Sequence, residues 1–142
     1  MKFDDLVSLI EEDIKGDLYK DVVLKDVWRA HHYVTKLLRQ NRPVPEELID
    51  LFAKSNHADV IFNFVRNLLI LDRPVPSKIL NVADYSVLMM IAGYHLKNQQ
   101  PFSEQLIKII RDKKLVQKVF DLANMHDYKI PDSLFNKLIG SS

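Results

Sequence analysis

The sequence predicts an all-α protein: a short alpha-solenoid or helical-repeat bundle of about seven helices, in two-helix units of 27–31 residues. Three observations carry this expectation. A proline-containing segment recurs as Arg42-Pro43-Val44-Pro45, Arg73-Pro74-Val75-Pro76, Gln100-Pro101-Phe102-Ser103 and Tyr128-Lys129-Ile130-Pro131, with starts 31, 27 and 28 residues apart. After each copy, apolar residues fall at i, i+1 and i+4, one face of a short helix. A second stretch in each unit then aligns without gaps into four columns at i, i+3, i+4 and i+7.

Taken in chain order, the first element is a helix over Phe3–Lys15, whose Leu6, Val7, Leu9 and Ile10 copy Leu48, Ile49, Leu51 and Phe52. It connects through Gly16 to its partner helix over Val27–Gln40. The following Pro-led or Ser-capped helices carry Leu48, Ile49 and Phe52; Ile79, Leu80 and Ala83; Leu106, Ile107 and Ile110; and Leu134, Phe135 and Leu138. Proline suits a first turn because its missing N–H would be an orphan there. Glu46, Glu47, Glu104 and Asp132 place negative charge at the positive end of the helix dipole. Asn56 is the expected N-cap of the second helix of its unit, with Asp59 three residues on; Asp84 and Asp112 are the expected caps ahead of Tyr85 and Lys113. Gly140 ends the closing helix over Pro131–Ile139.

The second-helix columns are the strongest signal. Ala30, Ile61, Leu88 and Val116 share the first; Tyr33, Phe64, Ile91 and Val119 the second; Val34, Val65, Ala92 and Phe120 the third; and Leu37, Leu68, His95 and Ala123 the fourth. Only His95 breaks the apolar pattern, and its expected state is a largely buried imidazole satisfied by a backbone carbonyl. A two-helix unit cannot bury both apolar stripes within itself, so units must stack. The expected organisation is one domain, 1–142, with units at 2–41, 42–72, 73–99 and 100–127 and a closing helix at 128–139. An open groove and a closed bundle both satisfy this pattern.

Composition excludes several function classes. The absence of cysteine removes disulfides, thiolate zinc sites, iron–sulfur clusters and cysteine nucleophiles. Three isolated glycines, at 16, 93 and 140, form no phosphate cradle or dinucleotide fingerprint. Twenty Lys and Arg against nineteen Asp and Glu give no global field that selects nucleic acid or an anionic membrane. The longest apolar runs, Leu68–Leu71 and Val87–Ala92, fall far short of the roughly 20 residues of a membrane helix. The N-terminal residues lack the basic-then-apolar order of a signal peptide, so a cytoplasmic protein is expected.

No catalytic grammar is present. His31 and His32 are adjacent and therefore diverge on a helix, and His95 and His126 have no His-x-x-x-His or Glu-x-x-His partner; no metal or cofactor is expected. Glu46-Glu47 and Glu11-Glu12-Asp13 are accounted for by helix dipoles and solvation rather than by acid–base catalysis. A His126-Asp127 hydrolase pair is the residual enzymatic idea, and the expectation is no enzyme.

Two surfaces are candidates for binding. Phe62, Met89 and Met90, with Tyr94 nearby, widen the apolar stripe of the central units and form the expected protein-binding face. The alternative is packing of these side chains on the preceding helix. Charge is also unevenly spread: residues 1–26 carry eight acids against four lysines, whereas 97–118 carry six bases against two acids. Lys108, Arg111, Lys113, Lys114 and Lys118, with Lys129 and Lys137, are the candidate nucleic-acid contacts.

The run Phe62-Asn63-Phe64-Val65-Arg66-Asn67-Leu68-Leu69, then Asp72-Arg73-Pro74-Val75-Pro76, then Ile79-Leu80, resembles uncharacterised alpha-helical repeat proteins of tailed bacteriophages. Gln100-Pro101-Phe102-Ser103 departs from that pattern by lacking the arginine. The resemblance implies no catalytic residues and an interaction role toward a host component. The combined expectation is a non-enzymatic protein–protein interaction module, with nucleic-acid binding through the basic C-terminal half as the alternative.

Overall fold

A computed structural model describes residues 26–140; the expected Phe3–Lys15 helix, its Gly16 connection and the acidic run before Asp26 lie outside the described residues. Everything described is helix or connection: α1 (Val27–Arg39), α2 (Glu46–Ser55), α3 (Ala58–Ile70), α4 (Ser77–Val82), α5 (Tyr85–Lys97), α6 (Glu104–Asp112), α7 (Val116–Met125) and α8 (Asp132–Ile139). Eight helices stand among the described residues against the expected total of about seven, and each expected Pro-led segment, even six-residue α4, is a helix of its own as expected. No helix among them is long and apolar enough to cross a membrane. The chain divides inside α3 into two compact units, one ending at Leu68 and the other starting at Leu69.

In the first unit α1 packs on α2. Its core is made by the expected columns: Ala30, Tyr33, Val34 and Leu37 from α1, Leu48, Ile49 and Phe52 from α2, and Ile61, Phe64, Val65 and Leu68 from α3 are all buried. The Phe52 and Phe64 rings meet edge to face at 5.1 Å. Asp26 caps α1, its carboxylate accepting from the Trp28 and Arg29 N–H groups.

The second unit alternates. α4 packs on α6 and α6 on α8, while α5 packs on α7, so helices two apart in sequence are neighbours in space. Side chains tie the first of these rows laterally. The Gln105 amide of α6 donates to the Ser77 carbonyl and to the Asn81 side chain of α4, each at 3.0 Å. Lys137 of α8 pairs with Glu104 of α6 at 2.9 Å. Of the second-helix columns, only Val116, Phe120 and His95 are not fully buried. Phe135, expected in a core column, is instead 43% exposed and stacks on Phe120 at 5.4 Å, because α8 has no later helix beside it among the described residues.

Every unit joins the next through the same junction. A residue in the left-handed region, Asn41, Asp72, Gln99 or Asp127, is followed after four positions by the N-cap of the next helix: Pro45, Pro76, Ser103 or Pro131. At three of these junctions the left-handed turn returns the chain by bonds from Arg42 to Leu37, Gln100 to His95 and Tyr128 to Ala123, each N–H donating to the earlier carbonyl at 2.7–2.9 Å. At the Asp72 junction the Asp72 N–H donates to the Leu69 carbonyl at 3.0 Å, and the Lys114 turn between α6 and α7 repeats the first pattern with Leu115 donating to Ile110 at 2.8 Å. Glycine usually fills this position, and the chain uses Asn, Asp, Gln and Lys114 instead. The residue before each N-cap and the fourth helical residue are apolar in every copy: Val44/Ile49, Val75/Leu80, Phe102/Ile107 and Ile130/Phe135. These are the two positions of a hydrophobic staple, which sets the angle of helix entry.

Three cap expectations need correction. The leading prolines occupy the N-cap rather than the first turn, with φ from −57 to −61° and extended ψ, where the locked ring fits without a side-chain bond. Asn56 is the left-handed C-cap of α2, a role its short amide tolerates, and not an N-cap. Asp112 is the last residue of α6 and pairs with Lys108 at 2.9 Å instead of capping α7. Asp84 and Ser103 are caps as expected, accepting from the Val87 and Leu106 N–H groups at 3.0 and 3.1 Å.

Gly93 lies inside α5, where a methyl group would stand 3.4 Å from Leu122 Cδ2, an ordinary contact. Gly93→Ala therefore stabilises the fold by about 0.5–1 kcal/mol through lower backbone entropy in the unfolded chain, read as a raised urea midpoint. A lowered midpoint would mean that α5 and α7 require the closer approach that only glycine allows.

Candidate functional site

Two successive junctions of the second unit enclose a groove of about 430 Å³. Its lining is mainly apolar, with Leu69, Val75, Leu80, Ile91, Phe102 and Leu106. Four of its polar groups, Asp72, Tyr94, His95 and Gln100, form one chain. The Tyr94 hydroxyl donates to Asp72 Oδ1 at 2.7 Å, and the Gln100 amide donates to the same oxygen at 3.2 Å. Gln100 Oε1 faces His95 Nδ1 at 3.0 Å, so the expected carbonyl partner of His95 is replaced by a side-chain amide. The Tyr94 bond, and then the Gln100 bond, hold the Asp72 carboxyl below the usual carboxylate range, against the opposing effect of desolvation; His95 acts in the same direction as the bonds. Tyr94 responds in the opposite sense: donation to Asp72 pushes its hydroxyl up. Asp72 is therefore held as an anion, oriented at the edge of an apolar groove.

A second groove, of about 200 Å³, follows between the 99–103 and 127–131 junctions. It is the next copy of the first. Leu69, Asp72, Arg73, Pro74, Val75, Leu80, Ser103 and Leu106 of the first correspond by repeat position to Leu96, Gln99, Gln100, Pro101, Phe102, Ile107, Pro131 and Leu134 of the second. The 99–103 junction is their shared wall, with His95, Gln100, Pro101 and Phe102 lining both. The rims differ in charge. Asp72 and Arg73 edge the first groove, and Lys129 and Lys137 the second.

Of the residues expected at a protein-binding face, Tyr94 lines the first groove. Met89 and Met90 are half-buried on α5, outside the linings of both grooves, and Phe62 is half-buried on α3 in the first unit. The basic candidates Lys108, Arg111, Lys113, Lys114 and Lys118 are all exposed, and several are engaged. Lys108 pairs with Asp112; Lys113 donates to the Ala83 carbonyl at 3.1 Å; and the Arg111 guanidinium sits against Gly140. The sequence reading missed Asp72, Gln100 and Phe102 as site residues, although all three lie in the recurring segments that define the repeat.

The histidines fall into separate settings. The Trp28 ring meets His57 at 4.7 Å and His31 at 6.3 Å, with His31 and His32 rings 5.6 Å apart. His126 stacks on Tyr128 at 5.2 Å. No group of three His, Asp or Glu able to hold a metal occurs among the described residues. Nδ1 of His31 is buried without a hydrogen-bond partner, and burial, then the neighbouring His32, pushes its imidazole below the ordinary 6.5. The folded state then binds this proton less readily than the unfolded chain. The stabilisation is complete above about pH 6.5 and is lost as pH falls from there through the depressed folded value. Thermal midpoints should accordingly drop on acidification below about pH 6.5, and His31→Gln should flatten that dependence. An unchanged slope in the variant would place the titration elsewhere.

Comparison of the chain with protein-family models, curated proteins and solved structures found no match.

Proposed function

We propose that this chain is a non-enzymatic protein-interaction module that docks a segment of another protein along the junction edge of residues 69–140. One observation carries the reading: the two grooves are repeat-equivalent, so the edge offers the same apolar receptacle twice in succession. Repeat proteins bind along surfaces built from equivalent positions of successive units, and the alternating helix rows of this unit support the alpha-solenoid form of the repeat. Tyr94 is the member of the Phe62, Met89, Met90 and Tyr94 face that belongs to this edge. The resemblance of the Asp72–Pro76 junction to bacteriophage helical-repeat proteins supports a host component as the partner and the cytoplasm as the site of action. Nucleic-acid binding through Lys108, Arg111, Lys113, Lys114 and Lys118 has weaker support, since Lys108 and Lys113 already have partners within the chain.

The test is affinity capture from lysate of the native host, with and without nuclease, followed by mass spectrometry. A stoichiometric protein that survives nuclease is the expected result. Loss of all bound material after nuclease would overturn it in favour of the basic residues, and a salt titration with DNA or RNA would then show a steep dependence.

A further inference from the structure

We infer that the two grooves accept a single extended, acidic segment of the partner, with two apolar side chains three positions apart seated in successive grooves. The inference rests on the interaction-module reading and specifies its ligand.

Spacing argues for the extended form. The grooves repeat along the row α4, α6, α8, whose members are direct neighbours. Packed helices stand about 8–10 Å apart. A polyproline II chain advances about 3.1 Å per residue with three residues per turn, so a side chain three positions on returns to the same face about 9 Å away, at the next groove, whereas a β-strand would turn it to the opposite face. A helix advances about 1.5 Å per residue and would need anchors about seven apart. The shared wall points the same way: His95, Gln100, Pro101 and Phe102 separate two receptacles, where an amphipathic helix requires one continuous trough.

Charge argues for an acidic segment and for its direction. Residues 69–140 carry ten Lys and Arg against seven Asp and Glu. Lys129 and Lys137 edge the second groove, with Lys137 partly neutralised by Glu104, so Lys129 is the principal attractor. Asp72 edges the first groove and is fixed there as an anion by Tyr94 and Gln100, beside Arg73. Acidic residues therefore belong next to the second-groove anchor, and are repelled from the side of Asp72.

The experiment is selection of random ten-residue peptides displayed against the full chain. Enriched peptides are expected to carry two apolar residues three apart with Asp or Glu beside one of them. Replacing both intervening residues by proline should keep binding, since proline preserves an extended segment and breaks a helix. Ser133→Trp, at an exposed position lining the second groove, should weaken binding at least tenfold. Lys129→Glu should weaken it about fivefold or more at low salt and reduce its salt dependence. Circular dichroism of both variants checks that they fold. Absence of enrichment, anchors seven apart, basic flanks, or affinity unmoved by Ser133→Trp would each overturn the assignment. If a lysate partner still binds the Ser133→Trp protein at full affinity, the extended-segment assignment falls while the interaction-module reading stands; if no protein partner survives nuclease, it is the module reading that fails.

Discussion

Phe64→Ala lowers the free energy of unfolding by about 3–5 kcal/mol, a large fraction of the 5–15 typical of a domain. The magnitude follows from position. Phe64 is 1% exposed on α3, and its ring meets the equally buried Phe52 of α2 edge to face at 5.1 Å. Truncation removes the transfer free energy of the ring, leaves a cavity that its fixed neighbours fill only in part, and deletes an aromatic pair worth about a further 0.5–1.5 kcal/mol. Urea melts check it, with Phe64→Leu as the control, expected to lose less than half as much because most of the apolar volume remains. Phe52→Ala and the double variant should be non-additive, since both truncations open the same space. A wild-type midpoint for Phe64→Ala would show that the second-helix column is not the core of the first unit.

The columns were legible because burial of a helix stripe imposes a fixed period, and Phe64, Ile91 and Val119 obey it without gaps. The helix ends were legible where a cap acts through a side chain, as at Asp84 and Ser103, and where glycine marks a left-handed end, as at Gly140. The turns were not. Asn41, Asp72, Gln99 and Asp127 take a conformation that glycine usually signals, and the sequence offers no glycine at any of them. Asn56 illustrates the ambiguity: one short amide suits an N-cap and a left-handed C-cap equally, and only the backbone decides between them.

The candidate site was harder to read for a related reason. Phe62, Met89 and Met90 stood out as apolar residues in columns that should turn polar, yet each is half-buried, which uses much of that surface. The grooves arise where consecutive junctions face each other, so their lining is drawn from six separate segments, from Leu69 to Leu106 in the first. Asp72 becomes a site residue only because Tyr94, 22 positions later, and Gln100, 28 positions later, converge on one of its oxygens. No local pattern encodes that convergence; the repeat period of the junctions does, since it sets which residues occupy equivalent places.

Leu106→Ala costs about 2–5 kcal/mol, and its effect spreads across the second unit. Leu106 is 1% exposed on α6, whose row places it between α4 and α8. In a repeat structure stability is a sum of nearest-neighbour interfaces, so damage in a middle helix weakens two of them. Amide exchange should therefore accelerate from α4 through α8. Leu138→Ala, at an equally buried position of α8, weakens mainly the α6–α8 interface, and its exchange should accelerate chiefly within α8. Leu106→Met keeps the volume and should cost less than about 1.5 kcal/mol. Because Leu106 also lines the first groove, the alanine variant enlarges that groove while loosening its walls, so affinity for any groove ligand should fall together with stability. Ser133→Trp blocks the second groove from an exposed position, and there affinity should fall with stability unchanged. Identical exchange patterns for Leu106→Ala and Leu138→Ala would contradict nearest-neighbour coupling and favour a single cooperative bundle.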